Sequence, residues 1–415
     1  MPIQTVYARE TLPDSWTKSV FLAGPTPRKG GPLSWRPEAL RVLEAQGYDG
    51  VVFVPEDRDI NGCALNPEDY EAQILWEHEA LRRADAIVFW VPRDLSIDLT
   101  LLSTPSGART IDVKDMLKFP AFTTNIEWGE WWDTGKVALG YPPNAPKMGY
   151  FRTKAKWKRI PVASTLEETL SAALEIIGEG AFREGGETSI PIGIWRTPTF
   201  VRWHAAQKAA GNVLLDARVL WTYRTGRQGE RLFFWAIDTD MRVGAEGRVF
   251  KDGVVVGRPD ISVTILLGPD RAFQTEVVLV KEFRPAATTS DGYVHEGAGG
   301  SSWDELTPIE LAAAEAIEET GVALTTSRLR DLGERQLLPT LCAHRAHVYV
   351  GRLTSAEMDA LRRRKDRPLG NLRDGERTWV EFHTFRGLFD GTGEGSLDVD
   401  WSTLGMIFLG FYRHM

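Results

Sequence analysis

Cysteine is almost missing from this chain: only Cys63 and Cys342 occur in 415 residues. Two thiols so far apart exclude a disulfide framework and predict reduced cysteines in a cytoplasmic protein. Long apolar runs are missing too. No stretch approaches the roughly 18 residues that a membrane helix needs, and the opening MPIQTVYARE has no apolar core of the signal-peptide kind. No membrane partner is therefore expected. Positive charge is in deficit, 49 Lys and Arg against 57 Asp and Glu for a net charge of −8, so there is no electrostatic footprint for nucleic acid. Internal repeats and low-complexity tracts are absent as well. What remains is an ordinary globular composition, 43% apolar and 26% charged, at a length that accommodates roughly two or three domains.

Periodicity divides the chain. From Ser19 to about Gly178 the segments SVFLAGP, RPEALRVLEAQ, VVFVP, PEDYEAQILWEHEALRRA, DAIVFWVP, NIEWGEWWDTGK and VALGYP alternate strand-like with helix-like patterns, and a last helix runs near Thr165 to Ile177. Continuous β-branched and aromatic strands between helices predict an α/β domain over residues 1–180, a Rossmann-like or flavodoxin-like parallel sheet with helices on both faces. Ligands of such sheets bind beyond the carboxyl ends of the strands. The Gly- and charge-rich stretch at 181–190 reads as a linker. Residues 191–415 read as a second, α+β domain with strand-like runs at Val213 to Tyr223, Leu232 to Ile237, Val254 to Leu267 and Glu276 to Phe283. Its first strands form an extra sheet suited to pairing subunits, so a homodimer is expected.

Carboxylates mark two places where chemistry is expected. Glu77 lies on a predicted helix before Asp85, and Glu127 follows Phe122-Thr123-Thr124-Asn125-Ile126 and starts the next helix. At a strand-to-helix junction a carboxylate reaches the ligand crevice, where the helix N-terminus favours negative charge. Two such groups can divide the breaking of a glycosidic bond, one attacking or stabilising the anomeric carbon and the other protonating the departing base. The plainer reading puts Glu77 on an exposed charged face with Glu71 and Glu79 and makes Glu127 a helix cap. In the first loop, Arg28, Lys29, Gly30, Gly31 and Arg36 suit a phosphate, or else form a solvated basic loop. Trp128, Trp131 and Trp132 have the helical spacing of core residues, although each could stack on a base.

The second place is Glu315, Glu318 and Glu319, at i, i+3 and i+4 of one helix. Like charges that close repel one another, so they form either a solvated face or a holder for Mg²⁺ or Mn²⁺ through oxygen ligands. Thr307-Pro308-Ile309-Glu310 reads as a capping box with Pro at the first helical position, and Gly321 stands at the left-handed C-cap. Glu296-Gly297-Ala298-Gly299-Gly300 is a small-residue turn leading into the site.

Gly300 to Val322 resembles the Nudix box, with Gly300, Glu315, Glu318, Glu319, Gly321 and Val322 in register. Leu306 stands where the first Glu of that pattern belongs, with Glu305 one residue early, and Ala314 replaces the Arg that orients the glutamates. The resemblance implies a Nudix fold, Mg²⁺ or Mn²⁺ held by Glu315, Glu318 and Glu319, and Glu318 and Glu319 as catalytic. It also implies release of a monophosphate from a nucleoside diphosphate derivative. Glu282-Phe283-Arg284 resembles the strand-end Arg of ADP-ribose-type Nudix pyrophosphatases, which makes Arg284 a substrate-binding candidate, and Pro339 lies at about that subgroup's distance from the box. Cys342-Ala343-His344-Arg345-Ala346-His347 lacks a fourth ligand at a zinc spacing. No Glu occurs between Pro339 and Val350, which leaves His344 as a base.

Phe21 to Pro25, Ser34-Trp35-Arg36, Trp76-Glu77, Ala84 to Pro92 and Thr123 to Gly129, in that order, resemble the nucleoside 2-deoxyribosyltransferase-like family over about residues 17–145. That family includes hydrolases of nucleoside 5′-monophosphates. The resemblance implies Glu127 as nucleophile, Glu77 as acid/base residue and Gly24 as the glycine of the sugar-binding loop, with Arg28, Arg36 and Asn125 as further substrate-binding candidates. Ala121 occupies the place where the transferases keep a sugar-binding Asp and the monophosphate hydrolases a Ser, which leaves the substrate's 5′ group open. An insertion of more than about twenty residues separates Pro92 from Phe122, a candidate lid. Joined, the two halves imply a bifunctional hydrolase of small-molecule nucleotides: Nudix-type cleavage of an ADP-ribose-like compound, then cleavage of a nucleoside monophosphate to base and sugar phosphate. The alternatives are a glycosidase or deoxyribosyltransferase regulated by a weakly catalytic Nudix-like sensor, and a ligand-binding scaffold.

Overall fold

The computed structural model describes residues 3–26, 33–58, 67–97, 117–226, 231–269, 272–301, 306–371, 375–390 and 397–413. The chain folds as two compact units, Met1–Val255 and Val256–Met415.

The first unit opens with β1 (Gln4–Tyr7), β2 (Ser15–Trp16), β3 (Ser19–Ala23), α1 (Arg36–Ala45), β4 (Val51–Val54), α2 (Pro67–Arg83) and β5 (Ala86–Trp90). It continues through β6 (Asp94–Ile97), β7 (Leu117–Phe119), α3 (Phe122–Trp131), β8 (Val137–Gly140), α4 (Gly149–Lys158), β9 (Val162–Ala163), α5 (Leu166–Ile177) and β10 (Arg183–Glu184). Six strands form one sheet in the order β1-β4-β3-β5-β8-β9, every pairing parallel. Counted from β3, the order is the doubly wound 2-1-3-4-5, and it reverses between β3 and β5, which is where a ligand crevice opens. Phe21, Phe53, Ile87 and Phe89 pack with Trp76, Ala80, Trp128, Trp131 and Phe151, so α2, α3 and α4 cover one face. Leu22, Val52, Val54 and Val88 alternate to the other face, against Ala39 and Leu43 of α1 and Leu170 and Ala173 of α5. A sheet covered on both faces needs strands that are apolar throughout, and this explains the continuous runs VFLA, VVFV and AIVFW.

The stretch expected to be a linker is instead packed into this unit. β10 pairs antiparallel with β2, and Arg183, fully buried, makes a two-pronged ion pair with the equally buried Asp85, both contacts at 2.6 Å. Asp85 also accepts hydrogen bonds from the Ser19 amide and hydroxyl at 2.9 and 3.0 Å. Gly and charge together looked like solvent exposure, but this guanidinium is the counter-charge of a buried carboxylate. Arg183→Met leaves Asp85 uncompensated and is expected to destabilise the protein by about 3–5 kcal/mol. Chemical denaturation checks this, and a loss under about 1 kcal/mol would show that water reaches Asp85.

Residues 191–255, expected in the second domain, also fold with the first unit. After α6 (Ile192–Trp195) and α7 (Pro198–Ala209), the strands β11 (Val213–Thr225), β12 (Arg231–Arg242) and β13 (Val249–Gly257) form a three-stranded sheet. Its first strand is anchored by Asp216, which accepts from Ser189 Oγ at 2.7 Å and pairs with Arg82 of α2 at 2.9 Å.

The second unit consists of β14 (Ile261–Leu267), β15 (Glu276–Phe283), β16 (Tyr293–Glu296), β17 (Ala298–Gly300), α8 (Pro308–Thr320), β18 (Leu329–Gln336), β19 (Arg345–Arg352), α9 (Ser355–Arg362), β20 (Thr378–Thr384), α10 (Phe385–Asp390) and α11 (Trp401–Tyr412). Its sheet runs β16-β15-β14-β19-β18, with β17 on β14 and β20 on β15. Only β14 and β19 are parallel among its pairings. Ala312 and Ala313 of α8 pack on one face with Leu266 and Val278, while Ile407 and Phe411 of α11 pack on the other with Ile265 and Leu279. The ends of α8 are as expected, a reciprocal Thr307–Glu310 capping box and a left-handed Gly321 at φ 74°.

Candidate functional site

At the carboxyl end of the parallel sheet, the turn after β3 lies against the end of β5. Gly24 has φ +152°, and a Cβ there would meet the Trp90 carbonyl oxygen at 2.2 Å. Backbone conformation and close approach both require glycine. Arg36 holds this turn from beneath: Nε donates to the Leu22 carbonyl at 3.0 Å, Nη2 to the Gly24 carbonyl at 2.8 Å, and Nη1 pairs with buried Glu56. Only 1% of its surface is exposed. Its role is therefore to shape the loop rather than to meet a phosphate as expected, since its donors are spent on the protein. Arg28, Lys29, Gly30 and Gly31 lie outside the described residues, as does much of the insertion after Pro92.

Glu77 and Glu127 face each other's charge from neighbouring helices. Helix α3 starts at Phe122, three residues earlier than expected, after Ala121 in a left-handed turn at φ 54°. Glu127 therefore sits in the second turn and does not cap the helix. Thr124, Trp128 and Trp131 form the buried face of α3, and Glu127 stands half-buried beside it. Glu77 is also half-buried, accepting a 2.7 Å hydrogen bond from Gln73 Nε2, whereas Glu71 is exposed. Burial first, and then the charge of Glu77, push the Glu127 carboxyl up to about 8, with Arg36 opposing. Burial raises Glu77 as well, opposed by Gln73 and Arg36. Near neutrality a Glu127 carboxyl raised to about 8 keeps its proton, so the site holds a proton beside a second carboxyl, as a reaction with one attacking and one proton-donating group requires.

Asn125, in the first half of α3, accepts a hydrogen bond from Arg93 Nη2 through Oδ1. Arg93, three residues past β5, was not anticipated from sequence; only its place after a strand end signals it. Trp128 and Trp131 are core residues, and Trp132 lies under the Lys154 ammonium at 4.3 Å.

The second unit gathers carboxylates of its own. Glu282 at the end of β15, Glu319 on α8 and Glu376 before β20 bring ligand oxygens within 4.8 Å of one another, an ion-sized group. Glu319 accepts the Gly299 amide at 2.8 Å. A Cβ on Gly300 would lie 2.5 Å from a Glu315 carboxylate oxygen, which explains the glycine. Burial, then mutual repulsion, raises Glu315 to about 7 and, despite the Gly299 amide, Glu319 to about 9; burial raises Glu282 to about 7 against Arg284. Glu318, expected among the ligands, is exposed and stands outside this group, because i and i+4 of the helix face the sheet while i+3 turns away. Glu282 and Glu376 were missed because they lie far from the box in sequence. Beside the cluster a cavity of about 390 Å³ is lined by Arg258, Arg284, Glu296, His344, Asp400 and Ser402 among others. Arg284 pairs with Glu282 at 2.7 Å and Glu296 at 3.4 Å. His344 is among the residues that line this cavity. His347 is engaged with Asp260 and Glu334, and neither it nor Cys342 belongs to the ion-sized group found among the described residues.

Residues 17–144 match the model of a family described as nucleoside 2-deoxyribosyltransferase like. No curated protein matches the chain. The part of the chain that carries Gly24, Glu77, Asn125 and Glu127 is thus a nucleoside 2-deoxyribosyltransferase-like domain, and the match ends well before the carboxylate cluster of the second unit.

Proposed function

We propose that the first unit cleaves the N-glycosidic bond of a nucleoside monophosphate, with Glu127 attacking or stabilising the anomeric carbon and Glu77 delivering a proton to the departing base. The observation that carries this reading is the pair of half-buried carboxylates with raised proton affinity on α2 and α3, at the crevice end of a sheet whose family acts on nucleosides. An oxocarbenium-like transition state brings positive charge next to the pair. That charge favours the shared proton on Glu77, which passes it to the departing base as the glycosidic bond breaks, and water then takes the sugar phosphate from Glu127, its proton returning to the carboxyl pair.

The second unit, on this proposal, is a Nudix-type hydrolase of a nucleoside diphosphate derivative. Three converging carboxylates are a hard oxygen donor set, and they fit Mg²⁺ or Mn²⁺ better than any soft metal. Glu282, Glu319 and Glu376 would hold the ion, with Glu315 beside them; a bound cation polarises phosphate oxygens and activates water. Arg258 and Arg284 line the adjoining cavity as cations for the diphosphate. The two activities would act in sequence, the second unit making a monophosphate that the first consumes. Incubation with nucleosides, monophosphates and ADP-ribose-like compounds, with and without Mg²⁺, and identification of products by mass, tests both. Free base and sugar phosphate from a monophosphate are expected without metal, and monophosphate from a diphosphate derivative only with it. Absence of free base from every compound would reject the first assignment.

A further inference from the structure

Among the described residues three arginines are buried to the level of the core: Arg36, Arg93 and Arg183. Arg36 is neutralised by Glu56 and Arg183 by Asp85. Arg93, 8% exposed, has no carboxylate partner among the described residues. Its Nη2 donates to the Asn125 side-chain oxygen and its Nη1 to the Lys147 carbonyl at 3.3 Å, both neutral acceptors. Its Nε has no hydrogen-bond partner, and its guanidinium lies 5.4 Å from the Phe151 ring centroid. Burial is the one influence that shifts its proton affinity, and it acts against the charge. A buried cation without a counter-charge is costly, and proteins rarely leave one so.

Its surroundings add positive potential. Arg93 follows β5 on the crevice side of the sheet and bridges the beginnings of two ten-residue helices. Asn125 belongs to the first half of α3, and Lys147 immediately precedes Met148, the N-cap of α4. Neither helix has a side-chain cap or an acidic residue in its first turn. Thr124, in the first turn of α3 and fully buried, has a hydroxyl without a partner. Two uncapped helix starts meet at an unneutralised guanidinium, where an anion would complete all three.

We propose that Arg93 is the specificity determinant of the first unit, binding the phosphate monoester of its substrate between the starts of α3 and α4. The assignment rests on the monophosphate reading of Glu77 and Glu127 and deepens it: the cation that makes a monophosphate preferable to a nucleoside is Arg93, not Arg36. It also accounts for Ala121, since a phosphate held by a guanidinium and helix amides needs no side chain at that position.

The test uses the full chain and ribose 5-phosphate as probe, with ribose as the uncharged control. Ribose 5-phosphate, and inorganic phosphate more weakly, should raise the melting temperature of the wild type. Arg93→Met should weaken ribose 5-phosphate binding by on the order of 100-fold, the weight of a charge-assisted contact pair, and bring the preference in kcat/KM for monophosphate over nucleoside close to unity. Asn125→Asp supplies the missing counter-charge from within. It should therefore raise the melting temperature without ligand while weakening the phosphate response, and it decides the matter should Arg93→Met fail to fold. Equal ribose 5-phosphate binding by wild type and Asn125→Asp, or no binding by the wild type at millimolar concentration, overturns the proposal. Binding that depends on Arg93 without base release from any monophosphate would uphold the anion site and reject the glycosidase reading.

Discussion

Glu127→Gln is expected to lower release of free base by roughly 10³-fold or more, the usual cost of losing a nucleophile, while making the protein more stable at alkaline pH. Both effects come from one carboxyl. Its proton is held more tightly in the folded chain, near pH 8, than at the ordinary carboxylate value of 4.5. Stability linked to that proton is complete below about pH 4.5 and is lost as pH rises through about 8. Glutamine has nothing to titrate. The melting temperature of Glu127→Gln should exceed that of the wild type by a margin that widens across this window. Melting curves across pH, beside mass detection of base, check both halves. Undiminished base release from a folded variant would remove Glu127 from the reaction, and a margin that ignores pH would remove the charge repulsion from the account.

The second large effect is expected at Glu319. Mg²⁺ or Mn²⁺ should raise the melting temperature of the wild type, by about 2.7 kcal/mol of stabilisation at a hundred times the dissociation constant. Glu319→Gln should abolish that gain and with it metal-dependent cleavage of ADP-ribose-like substrates. Glu318→Gln should retain most of it, because Glu318 is exposed and outside the ion-sized group. This is the opposite of what the box resemblance implies, so the pair of variants separates geometry from pattern. The missing Arg and Glu, at Ala314 and Leu306, should slow chemistry more than binding, since an ill-held ligand costs transition-state geometry first. Slow metal-dependent cleavage is therefore the expected result. Tight ligand binding with no cleavage, and a change in base release when that ligand is added, would identify the second unit as a sensor.

What the sequence disclosed follows from how local each signal is. The parallel sheet was legible because strands covered on both faces must be apolar throughout, and the α8 ends because Thr307, Glu310 and Gly321 act within one turn of the helix. Glu77 and Glu127 were legible by their place near strand ends, although the start of α3 was misplaced by three residues: Ala121 supplies the left-handed turn without the glycine that would announce it. What failed was anything settled by a distant partner. Arg183 looks like a linker residue until Asp85 is beside it, and Arg36 like a phosphate ligand until Glu56 is. Glu282 and Glu376 have no spacing that ties them to Glu319; the register of β15 with β20 sets Glu282 opposite Thr378, two residues from Glu376, and the Thr378 hydroxyl donates to the Glu319 carbonyl at 3.2 Å.

The match to a known family stops at residue 144, yet the charges that let those residues fold are answered from beyond it. Asp85 relies on Arg183, and Arg82 on Asp216. The recognisable part is thus shorter than the part whose buried charges are paired. A fragment trimmed to the recognisable part would hold Gly24, Glu77, Arg93 and Glu127 and leave the buried Asp85 without its counter-charge. A fragment that keeps both pairs has to reach past Asp216, and one that ends before Arg183 has to answer the buried charge of Asp85 in some other way.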